Sequence, residues 1–460
     1  MKNQNNIIKI IYSTLMIGIC LLPLVGMIFH PTDIPIGNQP LRELPELTDE
    51  EGKLNRNILM DIMEWYDDRF AFRPEIIAAN SALQEGVFRQ SSSDEIIVGK
   101  DGWLYYSATL DDFQHRNAVS DRMLFNIAHN IALMQEYAEE HGVSFAFTIA
   151  PNKNSLYPWY MPDRYRHTVG DMSDAERLKT YLRSEGVNYI DLYEVFNETD
   201  GVLYYKRDSH WTEGGAILAY RSLLSAVGAK PVSLPDEPYA YESFSGDLNK
   251  MLYPVGGMYE DRAVFIPDTS WSYIGEADNV EENYIETLNP KGEGSLLMYR
   301  DSFGNSLLPY MAETFGKAVF SKAVPYELDD IEDADADFFI IEKVERHLPT
   351  LGNIAPIMAA PGRDDLIKDE IEEVDIEGCN PQVSRTNDGE YTGISGDTPG
   401  LSDTRGRIYV SITDDTGERF YEAFCISAAG DDYGYQAYIP QEDIIGEIGN
   451  IKIWTDRDAY

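Results

Sequence analysis

The sequence predicts an α/β protein whose mostly parallel sheet is covered by helices on both faces and is followed by a smaller β-rich module. Between about residues 120 and 345, short apolar runs alternate with stretches of helical periodicity. This alternation is typical of strand–helix–strand units. After about residue 366 the apolar runs become short, alternating and separated by Gly and Asp, which indicates a small β-sandwich.

A transmembrane helix is predicted at the N-terminus, where residues 10–29 form a continuous apolar run of about the length that crosses a bilayer. Lys2 and Lys9 precede the run and acidic residues follow it, so the positive-inside rule places the rest of the chain outside the cytoplasm. A cleaved signal peptide is the alternative, but no small-x-small cleavage pattern follows the run. We therefore predict an uncleaved, single-pass anchor in a cell membrane.

Four segments follow from these patterns: an anchor, a stem with a helical lead-in, a main α/β domain and a C-terminal module. Their predicted bounds are 1–30, 31–95, 96–365 and 366–460.

Composition limits the partners that this chain can bind. The 460 residues include 79 Asp and Glu against 37 Lys and Arg, a formal net charge of −42. Such a charge argues against nucleic acid and anionic membrane surfaces as partners, and it disfavours a strongly anionic polymer. Of the cysteines, Cys20 lies in the membrane run, whereas Cys379 and Cys425 could form one disulfide or remain two buried thiols.

The elements before and within the main domain can be predicted in chain order. A helical lead-in is expected within residues 48–88, because Ile58, Ile62 and Trp65 recur at helical spacings. Residues 96–106 predict a β-hairpin with an Asp-Gly turn. The further strands are predicted at 143–149, 187–192, 295–299, 318–320 and 337–342, and the helices at 121–141, 174–185, 212–224 and 306–315. Residues 235–290, rich in Tyr, Asp, Gly and Pro, are expected to form a long irregular segment.

Two short motifs together supply the groups that acyl transfer needs. Asp208 and His210 are two residues apart, so in an extended segment both side chains point to the same side and the carboxylate can hold the imidazole. Ser302 directly follows a predicted strand and precedes a helix, where a sharp turn exposes its hydroxyl and its backbone N–H lies near a helix N-terminus. These residues predict a nucleophile, a base and an orienting carboxylate.

Each motif also has a structural interpretation. Ser302 could simply cap a helix, as most serines at such junctions do. Asp208 and His210 could form a hydrogen-bonded structural pair, or a metal site together with a distant carboxylate such as Asp301.

The order and spacing of several segments resemble the SGNH-hydrolase-like domain of the alginate O-acetyltransferase family, the AlgX/AlgJ type. The resemblance covers roughly residues 50–350. The segments that carry it are 67–74, 99–106, 150–153, 208–211, 300–303 and 337–346.

The resemblance implies a circularly permuted SGNH fold, in which the Asp/His segment precedes the serine. It implies an O-acetyltransferase that acts on an extracytoplasmic polysaccharide and receives acetyl groups through a membrane-bound O-acyltransferase. By the same resemblance Ser302 is the nucleophile, His210 the general base and acid, and Asp208 the orienting residue. Neither a cofactor nor a metal is expected.

The sequence departs from ordinary SGNH enzymes in two respects. Asp208 and His210 are two residues apart rather than three, and no Gly-x-Asn-Asp segment supplies an oxyanion asparagine. The candidates for oxyanion or substrate contacts are therefore Arg346, Asn152, Lys153, Tyr205 and Trp211. Arg346 could instead pair with a carboxylate, and the aromatic residues could be core residues rather than platforms for sugar rings.

Three hypotheses about function remain open from the sequence. The first is the membrane-anchored polysaccharide O-acetyltransferase. The second is a carbohydrate esterase with the same triad and water as acceptor, and the third is a non-catalytic surface protein with an SGNH-like fold. The C-terminal module could bind polysaccharide or serve as a structural cap.

Overall fold

The structure is a computed structural model, and it describes most of the chain. The described residues are 2–29, 32–35, 41–48, 52–116, 118–167, 170–364, 366, 370–374, 381–386, 389–398, 401, 403–428 and 431–456. Cys379 lies outside them, so its pairing with Cys425 stays a prediction.

The helices of the described chain alternate with strands throughout the main domain, as the periodicity predicts. They are α1 (Lys2–Phe29), α2 (Ile58–Arg69), α3 (Arg73–Leu83), α4 (Leu110–Phe113), α5 (Asp121–Glu140), α6 (Lys153–Leu156), α7 (Asp174–Ser184), α8 (Leu192–Asn197), α9 (Glu213–Val227), α10 (Asp247–Leu252), α11 (Leu308–Thr314), α12 (Asp330–Asp333) and α13 (Leu348–Asn353).

The described strands form two two-stranded sheets, one large sheet and two four-stranded sheets. They are β1 (Ile96–Val98), β2 (Leu104–Tyr106), β3 (Ser144–Ala150), β4 (Tyr189–Ile190), β5 (Ala240–Phe244), β6 (Glu260–Val264), β7 (Ser272–Ile274), β8 (Tyr284–Leu288), β9 (Ser295–Tyr299), β10 (Lys317–Ser321), β11 (Phe338–Val344), β12 (Ile371–Glu373), β13 (Gln382–Arg385), β14 (Tyr391–Asp397), β15 (Ile408–Asp414), β16 (Gly417–Glu422), β17 (Phe424–Ala428), β18 (Asp431–Pro440) and β19 (Asn450–Asp456).

The large sheet has the order β4-β3-β11-β9-β10-β8-β7. Neighbouring strands from β4 to β10 run parallel, whereas β8 and β7 extend the β10 edge in antiparallel fashion. Side chains along β3 alternate between two cores: Ala146 packs with residues of α9 and α11, and Phe147 packs with residues of α5 and α7. The prediction of a mostly parallel sheet with helices on both faces is confirmed.

The carboxyl ends of three central strands bring the conspicuous sequence motifs to one edge of the sheet. Strand β3 ends at Ala150, β9 at Tyr299 and β11 at Val344. Ligands bind at this edge in open α/β sheets, because the loops that follow the strands converge there.

The prediction for residues 235–290 is wrong, because this segment contains β5, β6, β7, β8 and α10. Its strands are short and polar, and β5 and β6 pair with each other in a separate two-stranded sheet. The short alternation in Ala240–Phe244 was the available signal for β5. The predicted helix 306–315 also starts later, since a 3₁₀ turn over Phe303–Asn305 precedes α11.

The C-terminal module consists of two four-stranded antiparallel sheets with orders β12-β19-β15-β16 and β13-β14-β18-β17. Ile394 and Ile439 from one sheet and Val410 and Ile453 from the other belong to one buried cluster. The predicted β-rich module is confirmed at this level.

Helix α5 joins the main domain to the C-terminal module through buried polar contacts. The Asn130 amide donates to the Cys425 carbonyl at 2.8 Å and accepts from the Cys425 N–H at 3.0 Å. The preceding residue, His129, lies between the carboxylates of Glu185 and Glu422, at 3.5 Å from each. Arg363 binds Glu422 at 2.6 Å, and this carboxylate is fully buried.

Helix α1 includes a 21-residue apolar stretch, Ile7–Met27, that is long and apolar enough to cross a membrane and has none of its length buried against the rest of the chain. This agrees with the predicted span at 10–29.

Candidate active site

The Asp208–His210 segment is a tight loop whose ends pair with each other. Tyr204 and Trp211 form a β-bridge, and the Tyr205 N–H donates to the His210 carbonyl at 3.2 Å. Thr212, directly after the loop, caps the N-terminus of α9. Contacts on both sides of the loop therefore fix its backbone independently of the contacts within the triad.

The structure brings together the three residues of the predicted triad. The Ser302 hydroxyl oxygen lies 2.9 Å from His210 Nε2, and His210 Nδ1 lies 2.7 Å from Asp208 Oδ1. The backbone N–H of His210 also donates to Asp208 Oδ1 at 2.9 Å, so spacing by two residues lets one carboxylate hold both the ring and the chain. Asp208 is buried, whereas His210 and Ser302 are partly exposed.

Electrostatic effects in the triad favour a charged imidazole. Burial opposes the charge on His210, but the adjacent Asp208 carboxylate outweighs burial and raises the pKa of His210 to about 9. Burial likewise favours neutral Asp208, but the charge and hydrogen bond of His210 hold its pKa well below the usual range. An imidazolium formed during proton transfer is therefore well stabilised here.

Asp301 positions the turn that carries Ser302. Its carboxylate accepts the Phe303 N–H at 3.0 Å and the Val344 N–H at 2.7 Å, which ties the turn to the end of β11. Asp301 is thus committed to backbone amides, and the alternative of a metal site with Asp208, His210 and Asp301 is not supported by its position.

Asp247, at the start of α10, is a further candidate site residue, which the sequence analysis did not identify. Its backbone N–H donates to Asp208 Oδ2 at 2.8 Å, and its carboxylate lies 3.7 Å from His210 Nδ1. It also accepts from the Ser209 N–H at 2.7 Å and binds the Ser209 hydroxyl. Burial, and after it the charge of Asp208, raises the pKa of Asp247.

Gly246 permits this close approach of α10 to the loop. A Cβ at Gly246 would lie 2.4 Å from the Arg207 carbonyl oxygen and 2.8 Å from the Cβ of Asp208. The only sequence signal for Asp247 was Gly-Asp before a short apolar helix, which is common at helix starts without any catalytic role.

The Lys153 ammonium binds backbone carbonyls of the loop that carries Asp208 and His210, and Lys153 does not line the cavity beside the triad. Its ammonium donates to the carbonyls of Tyr205, Lys206 and Asp208 at 3.1, 3.1 and 2.7 Å, and it lies over the rings of Trp103 and Tyr105. Burial lowers its pKa to about 8, although the charges of Asp247 and Asp208 favour the protonated form. The prediction that Lys153 contacts oxyanion or substrate is therefore corrected to a positioning role.

Asn152 is also directed away from the triad. Its side-chain amide donates to Asp112 at 3.1 Å, and its backbone N–H donates to the buried Glu345 carboxylate at 2.7 Å. Burial and the charge of Glu345 raise the pKa of Asp112 to about 7. Because its backbone N–H and its side-chain amide both donate to carboxylates away from Ser302, Asn152 is not placed to bind an oxyanion.

Arg346 remains available for an anion. Its guanidinium lies 5.7 Å from the centre of the Phe303 ring and 5.8 Å from that of Tyr106, and its charge acts to lower the pKa of His210. Within the described ranges of the chain Arg346 forms no salt bridge, so the alternative of carboxylate pairing is not supported. The backbone N–H of Ser302 likewise donates to no acceptor among the described residues.

Arg207 connects the loop to the helical lead-in. The buried guanidinium binds the Glu85 carboxylate at 2.8 and 3.1 Å and the Asn249 side chain at 2.8 Å. The charge and hydrogen bonds of Arg207 thus hold helix α10 and the segment after α3 against the loop that carries Asp208 and His210.

A cavity of about 550 Å³ opens beside Ser302 and His210. Tyr205 and Trp211, the two predicted aromatic contacts, both line it. Trp211 is completely buried, and its ring packs edge-on against Phe303 at 5.0 Å. The Tyr205 ring lies 4.8 Å from the Phe244 ring of β5, so Tyr205 packs against a strand at the rim of the cavity, whereas Trp211 packs in the core.

A serine, a histidine and an aspartate gathered at the carboxyl ends of parallel strands form the arrangement typical of serine-dependent hydrolases and acyltransferases. Residues 96–263 match a family model described as the SGNH hydrolase-like domain of the acetyltransferase AlgX. The matched segment contains Asp208 and His210 and ends before Ser302.

Two curated relatives carry the name "Probable alginate O-acetylase AlgJ". The protein from Pseudomonas syringae pv. tomato is 25% identical over 199 residues, 41% of this chain and 48% of that protein. The protein from Pseudomonas putida is 23% identical over 298 residues, 64% of this chain and 71% of that protein. This chain thus spans about half of the first relative's length. The structure of Bacillus cereus PatB1 with a sulfonyl adduct aligns with a TM-score of 0.43 at 16% identity, over 55% of this chain and 97% of that chain.

The predicted resemblance is confirmed by the family model and by these relatives. Residues 96–263 are similar to the SGNH hydrolase-like domain of the acetyltransferase AlgX, and longer stretches of the chain are similar to the two AlgJ proteins.

Proposed function

We propose that this protein is a membrane-anchored, extracytoplasmic O-acetyltransferase that transfers acetyl groups to hydroxyls of a cell-surface or secreted polysaccharide. The observation that carries the proposal is the chain of hydrogen bonds from Ser302 through His210 to Asp208, at 2.9 and 2.7 Å, beside an open cavity. The AlgJ relatives, which are named for alginate O-acetylation, support the transfer of acetyl groups to a polysaccharide.

In the first step the Ser302 oxygen attacks the carbonyl carbon of an acetyl ester or thioester donor. Neutral His210 accepts the hydroxyl proton at Nε2 and then gives it to the leaving group, so that an acetyl-serine and the free donor alcohol or thiol remain. Asp208 holds Nδ1 and stabilises the imidazolium between these two transfers.

In the second step a sugar hydroxyl attacks the acetyl-serine. His210 takes the proton of that hydroxyl and returns it to the Ser302 oxygen as the acyl bond to Ser302 breaks. The products are the sugar acetate and the free enzyme. Water in place of the sugar would give the esterase reaction instead.

Oxyanion stabilisation is assigned to the Ser302 backbone N–H and the Arg346 guanidinium. The first is without an acceptor and the second without a salt bridge in the described structure. A charged donor without a carboxylate partner stabilises developing negative charge more than a neutral donor does.

The proposal extends to topology, anchoring and partners. The Asp/His loop precedes the serine in the chain, in keeping with a circularly permuted SGNH fold, and the two C-terminal sheets fit a β-sandwich. Helix α1 would hold the protein in the membrane with its body outside, next to the membrane-bound O-acyltransferase that supplies acetyl groups.

An acetyl-transfer assay tests this function. The full-length protein in detergent is incubated with 4-nitrophenyl acetate as donor and a mixture of oligosaccharides as acceptors. We expect acetylated sugars by mass spectrometry with wild type and none with Ser302→Ala, while the matched control Ser225→Ala, an exposed serine of α9, behaves as wild type. Acetate release without sugar acetates, dependent on Ser302, would establish the esterase instead. The absence of any turnover dependent on Ser302 would contradict both enzyme functions.

A further inference from the structure

Helix α2 carries an apolar stripe on its exposed side. Leu59, Ile62 and Met63 recur at helical spacing, and the side chains of Leu59 and Met63 are 76% and 66% exposed. The polar side of the same helix is occupied, because the Arg42 guanidinium binds the Glu64 carboxylate at 3.4 Å. Helix α2 is therefore amphipathic, with contacts on its polar side and an exposed apolar side.

Helix α3 is divided in the same way. Pro74 and Ser81 are buried, and the Ser81 hydroxyl lies 2.6 Å from that of Ser92. Ile76 and Leu83 each follow a buried residue by two positions, which turns the helix by about 200°, and both are exposed. One side of α3 thus packs on the protein while the other presents apolar side chains outward.

Both helices lie at the end of the predicted membrane span. The junction of α2 and α3 packs on the last turn of α1, where a Cβ at Gly26 would lie 2.8 Å from the Cβ of Ala71. Leu24 and Met27 of α1 and Trp65 of α2 line one cavity of about 650 Å³. The apolar stripes therefore begin where the apolar surface of α1 ends.

The aromatic side chains at this junction suit the boundary between lipid and water. Trp65 and Tyr66 lie in the second half of α2, and Phe72 is exposed directly before α3. Tryptophan and tyrosine are enriched at both interfaces of a bilayer, because one end of each ring is apolar and the other polar. This composition, continuous with a membrane span, favours lipid over a soluble protein as the occupant.

We propose that helices α2 and α3 lie along the extracytoplasmic surface of the membrane that α1 spans, with their apolar stripes at the boundary between headgroups and acyl chains. The inference rests on the anchoring by α1 proposed above and goes beyond it. Burial of apolar side chains drives this contact, so a zwitterionic lipid surface suits a chain with a net charge of −42.

Docking of these helices would orient the catalytic loop relative to the membrane. Glu85, just after α3, binds the Arg207 guanidinium at 2.8 and 3.1 Å and accepts from the Tyr253 hydroxyl at 2.5 Å. Arg207 directly precedes Asp208 of the triad. The membrane-facing helices and the catalytic loop are therefore joined by a buried ion pair.

Two tryptophan variants of the full-length protein test the docking in phosphatidylcholine vesicles. Met63→Trp places an indole on the apolar stripe, and Glu64→Trp places one on the polar side of the same helix. The emission of each variant, minus that of wild type, is recorded with ordinary lipid and with lipid brominated on its acyl chains. We expect bromine to quench the Met63→Trp signal to about half and to leave the Glu64→Trp signal unchanged, because interfacial helices bury only their apolar side.

Equal quenching of the two signals, or quenching of neither, would overturn the inference. A blue-shifted Met63→Trp signal that bromine does not quench, and that is lost when the protein is diluted in lipid, would assign the stripe to a second copy of the chain. That result would also overturn it.

Polar substitutions test the same surface without adding a ring. Leu59→Gln combined with Met63→Gln should speed amide hydrogen exchange across α2 about tenfold in these vesicles, because the helix loses apolar burial in the lipid. The control combines Val383→Gln with Ile445→Gln, two exposed apolar residues of the C-terminal module, and should leave exchange in α2 at the wild-type rate. Unchanged exchange in the first variant would contradict docking.

Failure of the inference and failure of the proposed anchoring are distinguishable by flotation. If wild type does not float with the vesicles, the anchoring fails and the inference fails with it. If wild type floats but Met63→Trp is not quenched, only the inference fails. Neither experiment measures acetyl transfer, so the result for docking stands whatever the catalytic assay shows.

Discussion

His210 and His129 each lie beside two carboxylates, yet the two sites differ in what the second ring nitrogen contacts. His129 has carboxylates at both ring nitrogens, at 3.5 Å each, and is stacked on Phe125 inside the junction with the C-terminal module. His210 has a carboxylate at Nδ1, whereas its Nε2 meets a serine hydroxyl beside a cavity. A buried acid–histidine pair becomes a candidate proton carrier only where one nitrogen is left for a reacting group.

The largest expected difference between these histidines is in activity. His210→Gln should lower acetyl transfer by about 10⁶-fold, because base and nucleophile act as one unit. His129→Gln should keep activity per folded molecule and lose about 1–3 kcal/mol of unfolding free energy, because buried carboxylates lose a partner. Steady-state kinetics and urea unfolding of both variants provide the measurement. A comparable loss of activity in His129→Gln would mean that the two sites are coupled.

Asp208→Asn should reduce kcat by about 10⁴-fold, since the amide can favour the wrong imidazole tautomer while keeping the geometry. The same change removes the main charge that raises the pKa of His210. The residual activity should therefore rise at lower pH than in wild type, towards the pKa of about 6.5 of a free histidine. Rates measured from pH 5 to pH 10 check this shift. An unshifted profile would contradict the assignment of His210 as the titrating base.

At the His129 junction the expected effect is on stability. Arg363→Met should cost about 3 kcal/mol, because Glu422 is fully buried and loses a close charged partner. Lys452→Met breaks a pair with Glu373 that is exposed on the surface, and it should leave the midpoint of urea unfolding unchanged. Equal midpoints for the two variants would show that the buried network adds no stability.

The pH dependence of wild type follows from the pKa of His210, about 9. The base must be neutral, so kcat/KM for acetyl release should rise about tenfold per pH unit up to that value. For stability the direction is opposite. The folded pKa lies above that of the unfolded chain, so the contribution of His210 is complete below about pH 6.5 and is lost as pH rises through about 9. Kinetics that decline between pH 7 and 9 would contradict the proposed role of His210.

The smallest expected effect concerns Asp247, the second carboxylate near Nδ1 of His210. Asp247→Asn should shift the alkaline rise of kcat/KM to lower pH by less than Asp208→Asn does, because the Asp247 charge is a weaker contributor to the pKa of His210. Asn keeps a hydrogen-bond acceptor for Ser209, so KM should stay near wild type. A shift as large as that of Asp208→Asn would place both carboxylates on an equal footing.

The sequence was sufficient for the parts of the molecule where local pattern and tertiary contacts agree. Strand β9 and helices α5 and α7 follow directly from apolar periodicity, and the spacing of Asp208 and His210 led to their pairing. Asp247 could not be found in this way, because its role depends on the approach of a glycine to a loop 39 residues earlier in the chain.

The two-stranded sheet β5–β6 was missed for a related reason. Its side chains are exposed or only partly buried, because the sheet packs at the rim of a cavity and not on a core. The short alternation in Ala240–Phe244 was therefore too weak a signal to mark a strand. Asn152 and Lys153 were misassigned because their position after β3 predicts the correct edge of the sheet but not the direction of their side chains.

The packing of Phe303 has a consequence for spectroscopy. Its ring lies 4.8 Å from the His210 ring and 5.0 Å from the indole of Trp211. Trp211 is one of six tryptophans in the chain, and it immediately follows His210, whose charge changes in each half-reaction of the proposed mechanism. We expect the emission of this indole to change as acetyl-Ser302 forms and decays, and subtraction of a Trp211→Phe trace should isolate this signal from that of the other five.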